Sequence, residues 1–113
     1  MISNLENAVS ESDRIKKQLK AKKESPPPEL LSSGSALVNL ASSGKVDGAL
    51  AKGQFCLLVG ASQSGKSWLA RSFLAEASIN PLFESHSLIY DDPENGSWMD
   101  TEKFFGAKLA RRL

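Results

Sequence analysis

One stretch constrains what this chain can fold into more than any other. Gly60, four intervening residues and then Gly65-Lys66-Ser67 give the spacing G-x-x-x-x-G-K-S/T. Its flanks are ordered. Phe55-Cys56-Leu57-Leu58-Val59, just before it, is an unbroken apolar run of strand length, as a parallel strand buried on both faces reads. Beyond it, Leu69, Ala70, Phe73, Leu74 and Ala77 recur on one face of a helix. Strand, glycine loop and helix in that order predict an α/β architecture, with the loop at the edge of a parallel sheet and helices on its flanks.

The residue types in the loop suit one kind of chemistry. Glycines at 60 and 65 let the backbone turn tightly and approach a ligand with no Cβ in the way. The loop amides and those of the helix start then point inward as donors, and the helix dipole favours an anion there. Lys66 can reach β- and γ-phosphates as a mobile charge, and the Ser67 hydroxyl is placed for Mg²⁺. This is the P-loop pattern. The candidate cofactor-binding set for ATP with Mg²⁺ is therefore Gly60, Ala61, Ser62, Gln63, Ser64, Gly65, Lys66, Ser67 and the adjoining Trp68, with Ser67 on the metal and Lys66 also catalytic. The plain alternative is a glycine-rich strand-to-helix turn without a ligand.

Size narrows the expectation. With 113 residues, 41% hydrophobic and 24% charged, the composition is that of one small globular domain plus an arm. A P-loop sheet usually needs on the order of 150 residues, so the sequence reads as the front part of a larger, incomplete domain. No apolar run approaches membrane-spanning length, and the N-terminus lacks the build of a signal peptide, which makes a cytoplasmic location the default and a membrane partner unexpected. Cys56 is the only cysteine and His86 the only histidine, which offers neither a disulfide nor a metal set. On its strand Cys56 is expected to be a small core residue. Residues 1–24 hold six Lys/Arg against four Asp/Glu and the rest eight against nine, so no basic face large enough for nucleic acid stands out.

Three segments follow from the punctuation: a helical arm at 1–24, a Pro-rich linker at 25–30, and an ATPase-like portion at 31–113. In the arm, Ser3 and Glu6 form a capping-box pattern, and Leu5, Ala8, Ser12, Ile15 and Leu19 make a narrow seam suited to another helix or to a solvated surface. Lysines at 16, 17, 20, 22 and 23 collect at its carboxyl end. Residues 36–41 suggest a short helix. Asn80-Pro81 closes the helix after the loop, residues 87–92 read as a second strand, Asp100 caps a helix through Phe104-Phe105, and Gly106 interrupts before a last helical stretch.

Asp91, Asp92 and Glu94 admit two functional readings. The run Leu88-Ile89-Tyr90-Asp91-Asp92 looks like a Walker B strand whose terminal Asp holds Mg²⁺ through water. Alternatively the strand lies beside the loop strand, and Glu94 orients the attacking water. All three are otherwise ordinary carboxylates on a solvated turn.

Residues 31–41 (Leu-Ser-Ser-Gly-Ser-Ala-Leu-Val-Asn-Leu-Ala), the loop with its lead-in from Gly53, and Asp92-Pro93-Glu94-Asn95 together resemble RecA-type recombinases. Residues 83–105 look particularly like the RecA-like ATPases of tailed bacteriophages. The resemblance covers about 31–113 and leaves out the arm. It implies a RecA-like P-loop NTPase parallel sheet, an ATPase for DNA recombination or repair, a homo-oligomer (filament or ring), DNA as a partner, and Glu94 as the catalytic carboxylate in preference to Asp92 as Walker B. The family's later Walker B strand and DNA-contacting loops have no counterpart here, so DNA binding is implied by the resemblance alone. A replicative-helicase ATPase, a small-molecule P-loop kinase and a non-catalytic nucleotide-binding or assembly piece remain as other readings. Trp68 lies off the apolar face of its helix, placed to pack on the missing half of the domain or a neighbouring subunit, or to stay a partly exposed aromatic.

Overall fold

The structure is a computed structural model that describes residues 2–23, 27–96 and 98–113. Its first element, α1 (Ile2–Lys23), is a 22-residue helix, and its sequence contains neither Gly nor Pro. Ser3 already lies inside it, one residue past the start, and does not stand outside as a cap. The side chains of residues 10–21 are all exposed, and among the described residues no other element packs on α1. Its Asp13–Lys16 pair is 3.8 Å apart and open to solvent, where such a pair contributes little. The radius of gyration is 20.9 Å, against about 13 Å for a compact chain of this length, because the arm stands away from the rest.

Two short strands follow, β1 (Leu30–Leu31) and β2 (Leu50–Ala51), paired antiparallel with Leu30 opposite Ala51 and Leu31 opposite Leu50. Between them lies α2 (Ala36–Ser43), two residues longer than the sequence suggested. Its ends are chemically closed. The Ser35 side chain accepts from the Val38 amide, and Gly44, at φ 74°, donates its N–H to Leu40 O. Asn39 is only 2% exposed, and all its polar atoms are used. Its Oδ1 accepts from the Ser33 amide (2.9 Å) and hydroxyl (2.7 Å), while Nδ2 donates to Ser32 Oγ (3.1 Å) and Val46 O (2.9 Å). A polar group buried this deeply without partners would cost a few kcal/mol. Here it ties the serine-rich approach, the helix and the return loop into one unit. Gly48 lets the return loop cross β1, since a Cβ there would collide with Leu30.

The long helix α3 (Lys66–Ile79) ends at Asn80, whose backbone N–H bonds Glu76 O and whose side chain caps the 3-10 turn Pro81–Phe83 that follows. Next come α4 (Thr101–Phe105), capped by the Asp100 side chain on the Lys103 amide, and α5 (Ala107–Ala110), set off by Gly106. Phe73 and Ala77 of α3 are buried, as is Leu109 of α5, the helix that packs on α3, with Phe83 and Ala49 completing the apolar core. Arg112 closes the carboxyl end of α3 and the turn beyond it. Its Nη1 donates to Ala77 O and Ser78 O (3.4 and 3.0 Å), and Nη2 to Phe83 O, Glu84 O and His86 O (2.7, 3.3 and 2.8 Å). A cation is favoured at the end of a helix, where carbonyls lack partners.

The fold-class expectation is overturned. The described residues are mostly helical, and their sheet is the antiparallel pair β1–β2, not the parallel sheet of a RecA-like P-loop NTPase. Residues 55–59 and 87–92, both expected as strands, run without ladder pairing. A central parallel strand needs a neighbour on each edge and a cover on each face, and apolar composition guarantees neither. Phe55 is accordingly 100% exposed, Leu57 78% and Val59 85%. Cys56, expected in the core, is exposed with them. On α3 the expected face is shared: Phe73 and Ala77 are buried and Leu69, Ala70 and Leu74 half-buried, but Arg71 and Ser78 are buried too.

Candidate functional site

The loop at 60–67 lies at the amino end of α3. Gly65 is its N-cap at φ 88°, a left-handed geometry that glycine adopts without strain, and it supplies no side-chain cap for the first amides of the helix. Gln63 also has positive φ, at 62°. Left-handed residues alternating with ordinary ones turn successive amides toward one side of the chain, which is the form of an anion-binding nest. A Cβ at Gly60 would sit 2.7 Å from Ser64 Oγ, so a side chain there would make that exposed hydroxyl turn aside. The loop is tightened by the Ser64 amide donating to Ala61 O at 3.3 Å.

Lys66 is the first residue of α3, and its side chain folds back over the loop. Its Nζ donates to Gly60 O (2.8 Å) and Ala61 O (2.6 Å). The ammonium is thus held by the loop's own backbone, half-buried, while Ser62, Gln63, Ser64 and Ser67 are exposed. This is a cationic centre bonded to two backbone carbonyls of the loop. It can exchange carbonyl contacts for an anion, since a phosphate offers the ammonium a full opposite charge where a carbonyl offers only a dipole.

The other predicted site residues are spread around this centre. Trp68 turns away from the loop and packs on Phe105 (4.8 Å between centroids) and edge-on to Phe104 (5.4 Å). Those rings belong to α4 of the same chain, and Trp68 stays 45% exposed, the partly exposed aromatic that the sequence allowed. Glu94 is exposed in the turn formed by the Asn95 amide donating to Asp92 O at 3.0 Å, and no hydrogen bond joins it to the loop. Among the described residues no group of three or more His, Cys, Asp or Glu is arranged to hold a metal. A divalent cation would therefore depend on Ser67 together with ligand oxygens and water, as Mg²⁺ commonly does.

Three residues that organise this part of the molecule were given no structural role from the sequence, Asn39, Arg71 and Arg112, the two arginines having been weighed only as lid residues of a kinase. Asn39 carried a signal, a lone amide within an otherwise apolar helix stretch between two serine clusters. No protein-family model, no curated protein and no solved structure matches this chain. No helix among the described residues is long and apolar enough to cross a membrane.

Proposed function

We propose that residues 60–67 form a phosphate-binding loop for a nucleoside triphosphate with Mg²⁺, ATP being the ligand. The observation that carries this reading is the Lys66 ammonium held on Gly60 O and Ala61 O, inside a loop of alternating backbone hand at the start of a 14-residue helix. Lys66 supplies the charge, the amides around Gln63 and Gly65 supply directed donors, and Ser67 supplies a hydroxyl to the cation. Bound Mg²⁺ neutralises charge on the β- and γ-phosphates. Glu94, on its exposed turn, is the residue we assign to orienting water in an ATPase. The wider reading, a RecA-like ATPase that works on DNA as a filament or ring, rests on the motif resemblance alone.

The test is calorimetric titration with ATP·Mg²⁺ and with inorganic triphosphate, on the full chain and on Lys66→Ala. The substitution is expected to weaken both ligands by about 100-fold or more, the equivalent of one charge-assisted bond to phosphate. Circular dichroism should be unchanged, because Lys66 bonds only to its own loop. Equal affinity in the variant removes the assignment.

A further inference from the structure

Arg71 lies five residues beyond Lys66 on α3 and is only 7% exposed. Nothing in the phosphate-loop pattern asks for arginine here. Helical spacing puts it about 7.5 Å further along the axis and roughly 140° around it, away from the loop itself. Its guanidinium lies over the Tyr90 ring, 4.6 Å from the centroid. Its Nη1 donates to Met99 O (3.2 Å) and to Thr101 Oγ1 (3.1 Å). Tyr90 immediately precedes Asp91, and Met99 and Thr101 follow the turn that carries Asp92 and Glu94. One planar cation therefore grips the way into and the way out of the acidic loop 91–98.

Core stability does not account for an arginine at this position. Arg71 Nε is buried and has no hydrogen-bond partner. A buried, incompletely satisfied guanidinium carries a desolvation cost that a methionine filling the same space avoids. What methionine cannot do is bond a carbonyl and a hydroxyl while covering an aromatic face. Arginine does all three because its donors are rigid and its plane stacks.

We infer that Arg71 is a positioning residue: it latches the Asp91–Asp92–Glu94 segment onto the helix that begins with Lys66 and Ser67. Thermal motion of the acidic loop relative to α3 is thereby limited. This rests on the phosphate-loop reading above. The latch itself is a property of the fold and is separately measurable.

The experiment uses the full chain with Arg71→Met, Arg71→Lys and Lys66→Ala, titrated with ATP in the presence and absence of Mg²⁺. Amide hydrogen exchange is followed on the same proteins. In Arg71→Met, Mg²⁺-free ATP affinity is expected to stay within about twofold, while the gain from Mg²⁺ falls roughly tenfold, the loss of one charge-assisted contact. Exchange should quicken at 88–99 and stay unchanged in α2. Arg71→Lys should recover part of the Mg²⁺ gain, since an ammonium can still cover Tyr90. A merely structural role would weaken ATP equally with and without Mg²⁺ and quicken exchange throughout, and either that result or an unchanged Mg²⁺ gain overturns the proposal. If Lys66→Ala binds ATP like the parent chain, the phosphate-loop reading is the part that failed. Exchange alone then decides the latch: acceleration confined to 88–99 keeps it, and any other pattern removes it. Should Arg71→Met not fold, Thr101→Val removes one acceptor in place and carries the same comparison with a smaller change.

Discussion

Residues 30–51 and residues 53–65 are neighbours in the chain and meet opposite fates. The first segment closes on itself: Ser35 and Gly44 cap α2, Asn39 satisfies four groups, and β1 pairs with β2. The second contains the more strand-like sequence, yet Phe55, Leu57 and Val59 face solvent and pair with nothing among the described residues. The difference lies in where the partners are. A capped helix, a turn and a buried amide find theirs within about ten residues, whereas a central strand depends on distant ones.

That contrast can be broken or sharpened by substitution. The largest effect is expected on the closed side, at Leu109, which is fully buried against α3. Leu109→Ala should cost about 2–5 kcal/mol in denaturant unfolding, as methyl loss plus an unfilled cavity. A loss below about 1 kcal/mol would mean that α5 is not part of a packed core. Next comes Asn39→Leu, which fills the space but strands the Ser33 amide and the Val46 carbonyl. Roughly 2–3 kcal/mol should go, with the accelerated hydrogen exchange centred on 31–48. A neutral outcome would show that water replaces the amide and that the unit is not closed. The smallest effect belongs to Phe55→Ser, expected to stay within about 0.5 kcal/mol because its ring is 100% exposed. A loss above about 1.5 kcal/mol there would show a covered ring and erase the contrast.

The same division separates what was legible in the sequence from what was not. Asp100, Gly106 and Asn80-Pro81 announced their helix ends, because a cap or a stop is written in one or two residues. The glycines of the loop announced its tight turn in the same way. The parallel sheet was read from apolar runs at 55–59 and 87–92, which record a tendency to be buried but name no partner. The buried place of Arg71 was not legible for the converse reason. Charged residues are ordinarily solvated, and only the meeting of α3 with residues 90, 99 and 101 gives this one a buried place. Arg112 is likewise a tertiary residue, for its five acceptors lie at the end of α3 and on the turn beyond it, 26 to 35 residues away.

Arg112 also sets a clock for synthesis. It stands 35 residues beyond Ala77 and 34 beyond Ser78, whose carbonyls it holds. At about 5–20 residues per second, a ribosome delivers it roughly 2–7 s after the end of α3 has been made. The helix itself can form in about a microsecond. For those seconds its last carbonyls bond to water, and Phe73 and Ala77 await Leu109, which arrives only three residues ahead of the arginine. Until Leu109 and Arg112 have been made and have docked, the apolar side of α3 has no cover from its own chain.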